Sequence, residues 1–119
     1  MKSLQYKLDE EHNPVLEPDL LAWGVWMESA DRTVMKTRYP NGALISTVFL
    51  GLDHNFFGGT PILFETMIFD FDAATDYQER CATWNEAIEM HKRAEGLLER
   101  QGQLKLPGAE DASTPKREG

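Results

Sequence analysis

The chain has 119 residues, 41% of them hydrophobic, and its twenty acidic against twelve basic side chains give a formal charge of −8. That length fits one domain with one modest core, and the apolar share excludes wholesale disorder. The acidic excess disfavours direct nucleic-acid binding, because phosphate contacts need a basic face.

Tyr6-Lys7-Leu8 and Pro14-Val15-Leu16 flank the polar stretch Asp9 to Asn13 and predict a hairpin. Pro18 and Asp19 then open a helix to about Ala30, with Leu20, Trp23, Met27 and Ala30 at helical spacing and Trp26 beside them. Thr33 to Tyr39 alternates and is β-rich. Pro40-Asn41-Gly42 supplies turn residues before the strand Ala43 to Leu52, which is apolar on both faces and therefore central. Asp53 to Thr60 reads as a long glycine-containing loop, and Ile62 to Phe69 as the next strand. Asp70 to Glu79, with Asp70, Asp72, Asp76 and Glu79, reads as an acidic surface loop. The last helix runs from Thr83 to Arg100, opened by a Thr-x-x-Glu capping box, with Trp84, Ala87, Ile88, His91, Glu95 and Leu98 along one stripe.

The expected fold is therefore α+β: a small antiparallel sheet of about three to five strands packed with two amphipathic helices. Residues 1–102 form the domain, and 103–119 read as a flexible polar tail in which Pro107, Gly108, Ser113, Thr114 and Pro115 sit among alternating charges. In that tail Glu110, Asp111 and Glu118 balance Lys105, Lys116 and Arg117, so the body carries the whole excess charge. A basic protein surface is the partner such a body fits. Cys81 is the single cysteine, which rules out an intramolecular disulfide and any Cys/His zinc spacing and makes a reducing cytoplasm the expected home. The amino terminus has no apolar signal core, and no apolar run is long enough for a bilayer.

The densest cluster of reactive groups is Asp53-His54-Asn55, with Glu65 on the facing strand. Read functionally, these carboxylates and the imidazole hold a divalent metal or form an acid/base pair. Read structurally, Asp53 and Asn55 shape the loop through side-chain bonds to the backbone, because neighbours on an extended strand point apart. Glu65 sits among apolar residues; on a buried face it must be paired or shifted in pKa, and on an exposed face it is ordinary. His91 lies on the apolar stripe, as a ligand near His54 or as a core histidine bonded to Glu65 or Tyr39. Phosphate loops, nucleophile elbows and HExxH are all absent. Neighbouring acids raise the Cys81 thiol, which speaks against a nucleophile. No cofactor is implied.

Ser46-Thr47-Val48-Phe49-Leu50-Gly51-Leu52-Asp53-His54 followed by Pro61-Ile62-Leu63-Phe64-Glu65-Thr66-Met67 resembles a family of short uncharacterised proteins of tailed phages and prophages. The likeness extends to Tyr6-Lys7-Leu8-Asp9, to Asn13-Pro14-Val15, to the Trp23 and Trp26 helix, and to Thr83-Trp84-Asn85-Glu86-Ala87 with His91. It implies a setting, a phage accessory product in a bacterial cytoplasm, and carries over no activity or catalytic residue. The expectation is a protein that binds a host or phage protein through its acidic surface or the Asp53 to Pro61 loop. Two alternatives stand beside it: a small metal- or ligand-dependent enzyme centred on Asp53, His54 and Glu65, and a minor virion or assembly component.

Overall fold

The computed structural model describes residues 4–70 and 73–100, and the predicted tail at 103–119 lies outside these residues. A short hairpin comes first, β1 (Tyr6–Leu8) antiparallel to β2 (Pro14–Leu16). Helix α1 (Leu20–Ser29) follows, with Asp19 as its N-cap accepting from the Leu21 and Ala22 amides and Pro18 just outside. Four strands then form an antiparallel meander in sequence order: β3 (Thr33–Arg38), β4 (Leu44–Phe49), β5 (Phe64–Asp70) and β6 (Ala73–Cys81). Helix α2 (Trp84–Arg100) closes the fold. The small α+β class is as expected, and β4 is central.

The stretch read as an acidic surface loop is largely strand. β6 forms the sheet edge, pairing Glu65 with Arg80 and Thr66 with Glu79. Charged residues on an edge strand discourage pairing with another chain, and because Glu79 and Arg80 stand on opposite faces they also hide the strand's alternation.

α2 covers one face of the sheet, and among the described residues the opposite face carries no helix, since α1 rests against β1. The capping box forms as expected: the Glu86 amide donates to Thr83 Oγ1 at 3.1 Å and the Thr83 amide to Glu86 Oε1 at 3.1 Å. Beneath α2, inward side chains of β4 and β5 meet in three cross-strand rows: Ile45 with Ile68, Thr47 with Thr66, and Phe49 with Phe64. The first row belongs to a cluster with Tyr39, Ala43, Ala94 and Leu98; the third belongs to one with Tyr6, Leu8, Leu63, Ala87 and Met90. Each fully buried Phe or Ile contributes on the order of 1.5–3 kcal/mol through area removed from water. The threonine row divides the apolar core in two.

α1 departs from the amphipathic expectation. Trp23, Trp26 and Met27 turn inward, and Trp23 Nε1 donates to both Tyr6 O at 3.0 Å and Gly51 O at 3.1 Å. No residue of α1 is fully buried, while Leu20, Leu21 and Val25 stand exposed on its outer side. Gly51 has φ +82°, and a Cβ there would lie 2.6 Å from Met27 Sδ and Cε, so only glycine suits this crossing.

Candidate functional site

β4 runs out at Phe49 into a loop built largely by its own side chains. Asp53 is buried, and its Oδ1 accepts from the Asn55 amide at 2.8 Å and the Ile62 amide at 2.9 Å. Its own amide donates to Leu4 O, and the His54 amide to Ile62 O, both at 2.9 Å. Asn55 spans the loop, with Nδ2 donating to Thr60 O at 2.8 Å and Oδ1 accepting from the Phe57 amide at 3.2 Å. A backbone carbonyl only accepts, so the 2.8 Å contact with Leu52 O places the His54 proton on Nδ1. Asp53 and Asn55 thus act as the structural reading of the sequence had it. The tip carries Phe56 and Phe57, 73% and 100% exposed.

The five sequence-selected residues divide among three places. Asp53, His54 and Asn55 hold the loop. Glu65 alternates to the sheet face away from α2, where its Oε2 accepts from Arg80 Nε at 2.9 Å. His91 lies on the opposite side of the sheet under α2, 0% exposed. Its partners are neither Glu65 nor Tyr39, because the first faces away and the second belongs to the Ile45 end of the core, where its hydroxyl is buried without a hydrogen-bond partner among the described residues. Among the described residues no group of three or more His, Cys, Asp and Glu side chains is placed to hold a metal ion.

His91 instead completes the threonine row. Its Nδ1 lies 2.7 Å from Thr47 Oγ1 and its Nε2 2.8 Å from Thr37 Oγ1; Thr47 also bonds Thr66, and Thr37 donates to Glu95 Oε2 at 2.7 Å. One proton per hydroxyl fixes the direction of the chain. The Thr37 proton is committed to the carboxylate, so His91 carries its own on Nε2 and gives it to Thr37. Nδ1 is then the acceptor, Thr47 donates to it, and Thr66 donates to Thr47. Burial depresses the His91 pKa from 6.5 to about 4, which keeps the ring neutral at pH 7.

A hydroxyl, an imidazole and a carboxylate in sequence are also the parts of a nucleophilic relay. Here Thr47, Thr66 and His91 are each 0% exposed, so no substrate atom reaches Thr47 Oγ1. The chain is a core specification device: sliding α2 by one residue would leave the imidazole buried without partners. Cys81 closes β6, and burial first, then Glu86, pushes its thiol up to about 11, the wrong direction for a nucleophile.

These features define a small two-layer α+β protein: a meander under one long helix, with a hairpin, a short helix and a loop that display apolar side chains. No family model, no curated protein and no solved structure matches the chain. Among the described residues no helix is long and apolar enough to cross a membrane.

Proposed function

We propose that the protein works by holding another protein through the Asp53 to Pro61 loop, as a phage-type accessory product acting in a bacterial cytoplasm. The observation that carries this reading is Phe56 and Phe57, both exposed on a loop whose base is fastened by Asp53 and Asn55. Two adjacent exposed aromatics on a pre-ordered loop cost little entropy to dock and supply the kind of anchor that dominates protein interfaces. Leu4 and Leu52, both exposed, sit at the foot of the same loop, where Gln5 bridges to Leu52. The acidic body favours a basic partner surface and works against contact with nucleic-acid phosphates. The resemblance of the β4 and β5 segments to phage proteins supplies the setting.

Affinity purification of the tagged full chain from bacterial cells, beside a Phe56→Ser/Phe57→Ser variant, tests the reading. Both side chains are exposed, so the variant keeps the fold. A stoichiometric partner recovered with the wild type and lost with the variant is the expected result. Equal recovery by both, or no stoichiometric partner at all, refutes it.

A further inference from the structure

α1 has an apolar outer side that nothing among the described residues covers. Leu20, Leu21 and Val25 are 63%, 81% and 66% exposed, and Gly24 lies between them with no atom within 4 Å of where a Cβ would stand. Leu21 and Val25 are one turn apart, and the glycine leaves a flat spot beside them, which suits the close approach of a second helix. Half-exposed Leu16 of β2 stands just before the helix.

The charge around this surface selects the occupant. From Leu8 to Asp31 the sequence holds seven acids and no Lys or Arg. Lys7, just outside, is neutralised by Glu17 at 3.0 Å. Asp9 and Asp19 spend their carboxylates on turn and cap amides, whereas Glu10, Glu11 and Glu28 have no ion-pair partner among the described residues. Glu10 and Glu11 line an open cleft of about 540 Å³ together with Lys7, Leu8, Asp9 and the inward-turned Trp26. A second copy of the chain would bring two such acidic lobes together, so self-association through α1 is opposed by charge. A segment with apolar side chains flanked by Lys or Arg is drawn to it. Its aliphatic stems can lie along Leu21 and Val25 while the cations meet the unpaired carboxylates.

We propose that the outer side of α1 is a docking surface for a basic amphipathic helix of another protein, with Leu20, Leu21 and Val25 taking its apolar face and the unpaired acids of this segment, Glu10, Glu11 and Glu28, drawing its cations. The inference rests on the protein-binding reading for the class of occupant and uses a surface separate from Phe56 and Phe57. The probe is a synthetic amphipathic Leu/Lys helical peptide, titrated into the full chain by calorimetry beside a Leu/Glu peptide of the same length and zwitterionic lipid vesicles.

The Leu/Lys peptide binds and weakens with added salt; Leu21→Ser/Val25→Ser lowers affinity by about tenfold or more, and Glu10→Gln/Glu11→Gln flattens the salt dependence. All four positions are exposed, and an unchanged circular dichroism spectrum confirms the fold. Phe56→Ser/Phe57→Ser leaves peptide binding intact, which separates this surface from the loop. Equal binding of the Leu/Glu peptide, no binding of either, partition into the vesicles, or a dimer in sedimentation that Leu21→Ser/Val25→Ser dissolves would each overturn the proposal. Failure of the loop variant to lose its cellular partner, with peptide binding retained, counts against the loop reading alone.

Discussion

Acidification should weaken the fold through one buried group, His91. Its ring is neutral in the folded protein, with a pKa lowered from 6.5 to about 4 by burial, whereas the unfolded chain takes up the proton at the ordinary value. Between those values the unfolded state therefore binds one more proton than the native state, and stability falls as pH falls. The gap of about 2.5 pH units corresponds to about 3.4 kcal/mol in total, lost between about pH 6.5 and about pH 4. Glu95, 3.7 Å from Nε2, favours the imidazolium, but it is partly exposed and its field is screened. Protonation would also make Nδ1 a donor, so Thr47 would have to turn its proton away from the ring.

Urea unfolding followed by tryptophan fluorescence measures this loss, with His91→Gln as the reference that lacks the titrating ring. Relative to that reference, the wild type loses about 1 kcal/mol between about pH 6 and about pH 5, above the range where carboxylates begin to contribute. Equal pH slopes for both proteins, or an NMR titration placing the His91 ring near its ordinary value, would refute the reasoning. The same spectrum should show the neutral ring protonated on Nε2.

Three further outcomes follow from single contacts. Gly51→Ala meets both a positive φ and the Met27 thioether, and it should lower stability by about 1–3 kcal/mol in thermal unfolding. Asp53→Ala frees the Asn55 and Ile62 amides, costing about 1–3 kcal/mol and speeding hydrogen exchange across the loop, with Asn55 and Ile62 first. With its thiol held near 11, Cys81 should alkylate with iodoacetamide at neutral pH far more slowly than it does once urea has unfolded the chain.

The elements that could be read from the sequence were those specified locally. The β3–β4 turn needs only Asn41, whose Oδ1 accepts from the Ala43 amide, and Gly42 at φ +97°. α2 carries its start signal in Thr83 and Glu86. β6 was hidden because its inward side chains include Glu79, which takes a hydrogen bond from Tyr77 and one from Arg93 of α2, so polarity masked the period of two. The partners of His91 depend on register. Thr47 and Thr66 read as ordinary strand formers until β4 and β5 pair and place them opposite each other. The same alternation carries Glu65, one position from Thr66, to the far side of the sheet, so the cluster suggested by sequence proximity has no common face.

The exposed apolar side of α1 also bears on how the molecule opens. A ten-residue helix is marginal on its own in water, and this one buries no residue completely. It is held by the Trp23 indole, by Trp26 edge-on to Phe49 at 5.8 Å, and by Met27 over Gly51. α2, by contrast, sinks Ala87, Met90, His91, Ala94 and Leu98 into the sheet. Local opening should therefore release α1 well before α2, and in native-state hydrogen exchange the α1 amides should be the less protected helix by several kcal/mol. Covering Leu20, Leu21 and Val25 raises that protection, because a ligand that binds only the formed helix stabilises it by mass action. Saturating Leu/Lys peptide should slow exchange in α1 while leaving α2 unchanged. Equal protection of the two helices in the free protein would show that Trp23 and Trp26 alone suffice to lock α1, and would remove the energetic reason for a partner there.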